Sequence, residues 1–279
     1  MKTAVAFGVF DGLHKGHRAV LEKTHGYNSI AVTFKNLPKL GGLDKELLMT
    51  YKDREKALLS LGINKVEFLD LIKIGDMSPK EFLDYITSKY DLSLIACGEN
   101  FRFGKGAAGD VSFLTDYCRK EGIELSVTAP IKTKETVISS SFIRGLIKEG
   151  KIERANEFLL FPFSFTSPVK KGDQRGRLLG FPTINQEIPE TLVMPKSGVY
   201  KAAVEIEGKE YKAVSDIGTR PTFLTDHIAA ETHILDYSGD LYGKDVKVTL
   251  QKYLREEIKF SSKDDLIKAI KKDISEVSK

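Results

Sequence analysis

The sequence is poor in the features that mark secreted, membrane-bound and nucleic-acid-binding proteins. It has no tryptophan and only two cysteines, Cys97 and Cys118, in unrelated settings, so we expect free thiols and neither a disulfide framework nor a zinc site. No apolar run approaches the roughly 20 residues of a membrane span, and the chain starts on a core-like strand rather than a signal peptide. The 43 basic and 39 acidic residues give a net charge of only +4, which is too small to favour nucleic acid. We therefore expect a soluble, cytoplasmic protein that binds neither nucleic acid nor a membrane.

What is present is a chain of 279 residues, 41% hydrophobic, which is enough for one large domain or two ordinary ones. Residues 1–160 alternate strand-like and helix-like segments, which predicts a parallel, doubly wound sheet. From about Phe161 the pattern changes to short alternating strands and turns, which predicts an antiparallel β-barrel over residues 161–279. An amphipathic helix beginning at Ser262 closes the chain and is expected to pack on that barrel. The fold class is thus α/β + β.

The stretch Val5–His17 organises the first half. Its apolar start is typical of a buried parallel strand, and a helical pattern runs from about Gly16 to Glu22. A glycine-bearing loop between a strand and a helix leaves backbone N–H groups and the positive end of a helix dipole facing outward, which predicts an anion site. His14 and His17 could point into one pocket, with Gly16 allowing a phosphate close to the backbone. The alternative is two ordinary histidines beside a tight turn.

Two further loops follow predicted strands, at the positions where a doubly wound sheet binds ligands. The loop Gly98–Gly106 combines glycines with aromatic residues, an arginine and an asparagine; it is either a ligand loop or a surface turn with solvated charges. The serines of Ile138–Arg144 can cap the following helix. Together with that helix N-terminus and Arg144, their hydroxyls could also form a second anion cradle.

The second half carries its polar chemistry in four clusters, namely Gly172–Asn185, Asp216–Phe223, Glu231–Asp236, and Asp240–Gly243 with Arg255–Phe260. In the first cluster, Thr183 and Asn185 are two residues apart on an extended segment, so their side chains point to the same side. Their oxygens could both meet one Mg²⁺-nucleotide. A solvated glycine and arginine turn is the alternative for this cluster.

Three motifs of the first half occur in a set order, namely Phe10-Asp-Gly-x-His-x-Gly-His17, Asn100-Phe-Arg-Phe-Gly104 and Ile138-Ser-Ser-Ser-Phe-Ile-Arg144. Together they resemble the FMN adenylyltransferase module of bacterial bifunctional riboflavin kinase/FAD synthetases. The resemblance implies a Rossmann-like nucleotidyltransferase domain that joins AMP from ATP to FMN. The residues it implies are His14, His17 and Arg144 for catalysis, Gly8, Phe10, Asp11, Gly16, Asn100, Ser140 and Ser141 for ATP, and Phe101 and Phe103 for the flavin. Since the FMN phosphate is already an anion, this reaction needs alignment and charge stabilisation but no general base.

The second half contains Gly-Arg-Leu-Leu-Gly-Phe-Pro-Thr-x-Asn185, Ile-Gly-Thr-Arg-Pro-Thr-Phe223, Glu231-x-His-Ile-Leu-Asp236 and Asp-Leu-Tyr-Gly243. These motifs resemble the riboflavin kinase module of the same enzymes. The resemblance implies Glu231 as the general base for the ribityl hydroxyl, which gains from proton removal as it attacks the γ-phosphate. The other implied residues are Gly176, Arg177, Gly180, Thr183 and Asn185 for ATP, the last two also for Mg²⁺, and Arg255 for the flavin. A buried structural carboxylate is the alternative role for Glu231.

The chain departs from the family pattern where Thr-Phe-Glu-Pro-His-Pro is common. Here it reads Thr33-Phe-Lys-Asn-Leu-Pro38, so Leu37 replaces a phosphate-binding histidine. The sequence as a whole predicts an enzyme that makes FMN from riboflavin and ATP, then FAD and pyrophosphate from FMN and ATP. We expect it to act on small-molecule substrates as a monomer or weak oligomer. Leu37 leaves open a riboflavin kinase with a weakened first domain, and a flavin- or nucleotide-binding regulator is the interpretation without catalysis.

Overall fold

The computed structural model describes residues 2–35, 46–134, 136–172, 175–221 and 226–279. Leu37, with its departure from the family pattern, lies outside the described residues. The chain divides into two compact units, Met1–Asp44 with Thr50–Phe142, and Lys45–Met49 with Ile143–Lys279.

The first unit is built on a five-stranded parallel sheet flanked by helices. Its elements are β1 (Thr3–Phe7), α1 (Lys15–Leu21), β2 (Asn28–Phe34), α2 (Tyr51–Ser60), β3 (Lys65–Leu69), α3 (Leu71–Ile74), α4 (Pro79–Lys89), β4 (Leu92–Gly98), α5 (Val111–Glu121) and β5 (Glu124–Thr128). The next helix, α6 (Ser140–Lys148), begins in this unit and continues into the second.

The strand order β3-β2-β1-β4-β5 places β1 at the centre of the sheet. The central strands are apolar without alternation, because a parallel sheet is covered on both faces; Val5, Ile30 and Ile95 are all buried. From β1 the chain moves outward to β2 and β3 and then returns to the other side of β1 for β4. This reversal leaves a crevice at the carboxyl ends of β1 and β4, which is where sheets of this kind bind ligands.

Local sequence signals fix several helix ends. Ser78 caps α4 in a full capping box with Glu81, and Pro79 occupies the first helical position, as the sequence predicts. Asp110 caps α5, which ends at Gly122 in the left-handed conformation. The sequence analysis did not predict the four-residue helix α3, which follows β3 directly and is capped by Asp70.

The second unit is a six-stranded antiparallel sheet. Its elements are α7 (Ile152–Phe158), β6 (Ser164–Pro168), α8 (Arg175–Leu178), β7 (Ile184–Glu187), β8 (Gly198–Ile206), β9 (Lys209–Pro221), β10 (Asp226–Ile234), β11 (Asp245–Arg255) and α9 (Lys263–Ser278). The sequence analysis predicted neither α8 nor β7.

The sheet order β6-β11-β8-β9-β10-β7 nearly closes into a barrel. The seam lies between the first and last strands, where the Lys170 N–H donates to the Asn185 carbonyl at 2.8 Å. The buried Gln186 adds a side-chain link, since its Nε2 donates to the carbonyls of Ser167 at 2.6 Å and Val246 at 2.8 Å. The predicted barrel and the parallel sheet of the first unit are both confirmed.

The terminal helix α9 covers part of the outer barrel face. Ser262 caps it through the Asp265 N–H, and its Ile274 and Val277 pack with Val199 and Val214. The interior is lined by residues of the opposite strand face, among them Tyr200 and the buried pair Ser215 and Thr232, whose hydroxyls lie 2.9 Å apart. The residues that alternate with this interior set therefore face outward.

Both cysteines are free thiols, as predicted, and the structure shows that both are buried. Burial raises the pKa of the Cys97 thiol to about 12 and that of Cys118 to about 11, so both stay protonated at neutral pH. Within the described residues, the model contains no helix that is long and apolar enough to cross a membrane.

Candidate active sites

His14 and His17 lie together at the carboxyl end of β1, as the sequence predicts. Their rings stack with centroids 3.7 Å apart and an angle of 18° between the planes. The ring of Phe10 meets His17 edge-on at 5.4 Å and is itself fully buried. Gly8 lies against the Phe10 ring, where a Cβ would come within 2.8 Å of it, so the glycine is needed for this packing. Phe10 thus supports the histidine pair from below.

His14 is the N-cap of α1. Its Nδ1 accepts from the backbone N–H of Gly16 at 3.1 Å and, more weakly, from that of His17 at 3.4 Å. The two helix amides predicted to face an anion are therefore already bonded within the chain. Because Nδ1 accepts, the neutral imidazole carries its proton on Nε2, which makes that nitrogen a donor. A Cβ on Gly16 would lie 3.0 Å from the His14 ring, so glycine also permits the cap.

Both histidines are held in the neutral form. Burial lowers the pKa of His14 to about 4. Burial also lowers the pKa of His17 well below its ordinary value, with further contributions from His14 and from the positive charge of Arg54. The Nδ1 of His17 is buried and has no hydrogen-bond partner among the described residues. The pair can therefore donate hydrogen bonds to phosphate at neutral pH without carrying charge.

Arg54 is a component of this site that the sequence analysis missed. It projects from α2, is fully buried, and donates from Nη1 to the Val9 carbonyl at 3.0 Å and from Nη2 to the Phe34 carbonyl. Those carbonyls lie at the carboxyl ends of β1 and β2. Burial lowers the pKa of Arg54, and the buried carboxylate of Asp11 opposes that shift. The charge therefore sits beneath the histidine loop.

The loop needs this support because its backbone is strained. Phe10 and Leu13 have φ values of 54° and 44°, in the left-handed region that ordinary residues rarely adopt. The Val9 carbonyl also accepts from the Thr33 hydroxyl at 2.8 Å, and the Ser140 hydroxyl donates to the Asp11 carbonyl at 3.0 Å. Polar bonds from β2, α2 and α6 thus hold the loop in place.

The loop after β4 contributes an exposed asparagine and two aromatic residues. Asn100 lies on the surface, and its Oδ1 would be 3.1 Å from a Cβ at Gly98. Phe101 is half-buried and stacks on Phe7 at 5.2 Å. Phe103, by contrast, is 6% exposed and packs with Phe82 in the core, so the structure leaves it little surface for the predicted flavin contact.

The serine segment behaves as a helix cap in part. Ser139 accepts from the Phe142 N–H at 3.2 Å, Ser140 bonds to the first loop as described, and Ser141 is exposed. Arg144 belongs to the second unit, where its Nε donates to the Glu46 carbonyl at 2.6 Å. The role of Arg144 in adenylyl transfer stays a prediction.

The second site is defined by strand register. On the antiparallel pair of β7 and β10, Glu231 lies directly opposite Asn185 and Thr232 lies opposite Ile184. Residues that face each other across such a pair point to the same side of the sheet, so Glu231 and Asn185 share the outer barrel face. Thr183, one residue before β7, continues on that side. The sequence predicts that Thr183 and Asn185 point the same way; the register adds the carboxylate opposite them.

Three glycines shape the loop that leads to Thr183. A Cβ on Gly176 would lie 2.4 Å from the Phe181 carbonyl oxygen and 3.3 Å from the Thr183 hydroxyl, so only glycine fits there. A Cβ on Gly172 would similarly lie 2.5 Å from the amide nitrogen of the Asn185 side chain. Gly180 has φ = 86°, which glycine adopts without strain, and Arg177 is exposed. The loop folds tightly around the two side chains predicted to hold the nucleotide.

Arg255 has a partner that the sequence analysis did not predict. Its Nη2 donates to Asp273 Oδ2 at 2.7 Å, and its Nε lies 3.1 Å from both carboxylate oxygens. Asp273 is on α9 and is buried, so this forked pair ties the helix to the end of β11. The predicted flavin contact of Arg255 is not tested by this arrangement.

The two residues predicted to bind Mg²⁺, Thr183 and Asn185, offer uncharged oxygen donors. Among the described residues there is no group of three or more histidine, cysteine, aspartate or glutamate side chains that could bind a metal. The hydroxyl of Thr183 and the amide of Asn185 are hard oxygen donors of the type that Mg²⁺ accepts when substrate phosphates supply further ligands. The donor set therefore fits a magnesium-nucleotide better than an ion bound by protein alone.

Comparison with known proteins agrees with the predicted family of each half of the chain. The FAD synthetase family matches residues 1–142, and the riboflavin kinase family matches residues 159–279. The Mycoplasma pneumoniae bifunctional riboflavin kinase/FMN adenylyltransferase is 32% identical over 100% of this chain and 97% of its own. The Bacillus subtilis protein of that name is 30% identical over 99% of this chain and 91% of its own. A solved structure described as a macrolide-efflux protein from Streptococcus pneumoniae is 27% identical, with a TM-score of 0.90 over 99% of this chain and 94% of that one.

The first unit has a histidine pair at the carboxyl end of its central parallel strand. The second has a carboxylate opposite a Thr-x-Asn segment on an antiparallel barrel. Together these features define a two-domain transferase. The chain belongs to the FAD synthetase family, and its second half is a riboflavin kinase domain. The prediction of one enzyme with riboflavin kinase and FMN adenylyltransferase activities is confirmed. Its substrates are ATP and flavins.

Proposed function

We propose that both domains of this chain are catalytically competent, so that riboflavin becomes FMN in the barrel and FMN becomes FAD in the first unit. The observation that carries the proposal is the placement of Glu231 opposite Asn185, because a protein that only bound flavin would have no use for a carboxylate beside the nucleotide oxygens. The neutral histidine pair supports the second reaction.

In the kinase step, Glu231 takes the proton of the ribityl 5′-hydroxyl as that oxygen attacks the γ-phosphate of ATP, and ADP leaves. Thr183 and Asn185 bind the phosphates and Mg²⁺, and the metal neutralises charge on the transferring group when it is bound. Gly176, Arg177 and Gly180 enclose the phosphates through the preceding loop. The half-buried position of Glu231 suits a base that must meet a substrate while being partly shielded from water.

In the adenylyl step, the FMN phosphate attacks the α-phosphate of ATP and pyrophosphate leaves. No proton has to be removed from the nucleophile, so the domain needs hydrogen-bond donors rather than a base. His14 supplies Nε2–H, and His17, with Asn100, Ser140, Ser141 and Arg144, completes the contacts to the phosphates. Gly8, Phe10, Asp11 and Gly16 shape the loop, and Phe101 offers the flavin an aromatic surface.

Further parts of the proposal concern the setting of the enzyme. We assign the adenylyltransferase to residues 1–160 and the kinase to residues 161–279. We place the protein in the cytoplasm, acting as a monomer or weak oligomer without nucleic acid.

The deciding experiment incubates purified protein with Mg-ATP and either riboflavin or FMN and separates the flavins chromatographically over time. FAD should form from both, with FMN as the intermediate in the first reaction. FMN that accumulates without FAD would contradict an active first domain, and conversion of neither flavin would contradict the whole proposal. Omitting Mg²⁺ and adding a chelator should stop both reactions.

A further inference from the structure

His233 belongs to the motif Glu231–Asp236 but has no role in the chemistry described above. It lies on β10 two residues after Glu231, so both side chains project from the same face of the strand. In the register of β10 on β7, Thr232 is opposite Ile184, and one step further brings His233 level with Thr183. The imidazole is half-buried beside the loop that delivers Thr183 to the site.

One ring nitrogen of His233 bonds to the backbone of that loop. Nδ1 lies 2.8 Å from the carbonyl oxygen of Pro182. A carbonyl oxygen can only accept, so the proton of this bond is on Nδ1. Proline has no N–H, which leaves this carbonyl as the only backbone group through which Pro182 can make such a bond. Pro182 directly precedes Thr183.

The same imidazole also contacts the next residue back along the loop. The Phe181 ring meets the His233 ring edge-on, with centroids 5.8 Å apart and an interplanar angle of 88°. The loop also forms a turn of its own, since the Phe181 N–H donates to the Gly176 carbonyl at 2.8 Å. His233 therefore adds a side-chain link from this compact turn to the strand that carries Glu231, next to the backbone pairing of β7 and β10.

We propose that His233 is a positioning residue of the kinase site, whose Nδ1–H holds the Pro182 carbonyl and thereby fixes Thr183 relative to Glu231. The inference rests on the proposed function of the barrel and adds a residue to it. The physical reason is that a nucleotide bound by a loop and a base carried by a strand must keep a fixed separation for in-line transfer. A loop without this link would sample positions in which Thr183 does not reach the phosphate chain, so the nucleotide would bind more weakly.

The test compares two amide substitutions of different length, which place their N–H donor at different positions. In His233→Asn, the amide nitrogen can occupy nearly the place of Nδ1 and keep the bond to Pro182. In His233→Gln, the amide reaches toward the former Nε2 and the bond is lost. Riboflavin phosphorylation is measured in the full-length protein with Mg-ATP varied, and adenylylation of FMN by the same samples serves as the internal control.

We expect His233→Gln to lower kcat/KM for Mg-ATP in the kinase reaction about tenfold, chiefly through KM, and His233→Asn to stay within about threefold of the unchanged protein. Adenylylation and the unfolding temperature should be the same in both variants. Equal kinetics for the two variants, whether both active or both impaired, would overturn the proposal, as would a loss that follows the unfolding temperature.

A second measurement separates this inference from the proposed function. If the unchanged protein does not phosphorylate riboflavin, the function fails, and the binding of Mg-ADP measured by calorimetry then decides the role of His233. Neither substitution lies in the first unit, so a difference between the two isotherms reports on the barrel. Binding about tenfold weaker in His233→Gln than in His233→Asn would support the link to Pro182, and identical isotherms would refute it.

Discussion

The two candidate sites differ in the groups that they offer for phosphate transfer and in the backbone that holds those groups. The first holds neutral imidazoles on a strained loop at the ends of parallel strands, with the buried cation of Arg54 bonded to backbone carbonyls. The second places a carboxylate opposite an amide on two antiparallel strands and needs no unusual backbone at those residues. The difference follows from the nucleophile. A phosphate attacks without losing a proton, whereas a hydroxyl requires a base.

Replacement of Glu231 by glutamine should separate the sites most sharply. Loss of the base is expected to slow FMN formation by roughly 10²- to 10⁴-fold, while FAD formation from supplied FMN stays unchanged, because the first site uses no base. Both rates are measured from the same preparation by flavin chromatography. Glu205→Gln, an exposed carboxylate on β8, is the control and should leave both rates unaltered. Normal riboflavin phosphorylation by the Glu231 variant would show that the carboxylate is structural.

His17→Ala should give the reverse result. Removing a donor from the phosphate site is expected to slow adenylylation by roughly 10²- to 10³-fold, with the kinase rate preserved. The matched control is His25→Ala, because that histidine is exposed and belongs to neither site. FAD synthesis at the full rate in the His17 variant would remove the histidine from the phosphate site.

Arg54→Met should destabilise the first unit. The substitution removes one hydrogen-bond donor from each of two backbone carbonyls, those of Val9 and Phe34, and takes away the positive charge near the buried Asp11 carboxylate, so a loss of about 3 kcal/mol in unfolding free energy is expected. Urea denaturation followed by circular dichroism measures it. Arg18→Met is the control, since Arg18 forms an exposed pair with Glu22 and its loss should cost less than about 1 kcal/mol. Equal midpoints for the two variants would contradict the assigned role of Arg54.

The neutral state of His14 predicts a pH dependence of stability. Its pKa in the folded protein is about 4, below the ordinary 6.5, so the unfolded chain binds the extra proton first as the pH falls. The stabilisation is complete above pH 6.5 and is lost between pH 6.5 and 4, by up to about 3 kcal/mol. His14→Asn keeps an acceptor for the Gly16 N–H but does not titrate, so its unfolding free energy should vary less over this range. An unchanged slope in that variant would assign the pH dependence to other groups.

The sequence predicts best the elements whose signals are local. The capping box at Ser78, the glycine that ends α5 and the alternating strands of the barrel all depend on residues close along the chain, and the structure has them. The strand β7 was missed because Gln186 occupies an interior position, so the expected alternation of apolar and polar residues is broken. The Gln186 side chain bonds across the seam between β6 and β7, and this role becomes visible only when the sheet has curled into a barrel.

The sites show the same limit. The histidine pair and the Thr-x-Asn segment could be found because their residues lie within a few positions of one another. Arg54 could not be found in this way, since it stands among other charged residues on α2 and its sequence context is that of a solvated arginine. Only the folded structure places the carbonyls at the strand ends within its reach. Arg255 likewise finds Asp273 18 positions later, and no local pattern identifies that partner.

The seam of the barrel has a consequence for behaviour at high concentration. A strand at the rim of an open sheet presents unpaired backbone groups that can recruit a strand from another molecule and begin aggregation. Here the amide of Gln186 reaches across to the Ser167 carbonyl on the edge strand β6 and occupies an acceptor at the seam, with a second bond to the Val246 carbonyl on the neighbouring strand β11. One inward-pointing glutamine thus protects the sheet from edge-to-edge association, in addition to joining its first and last strands.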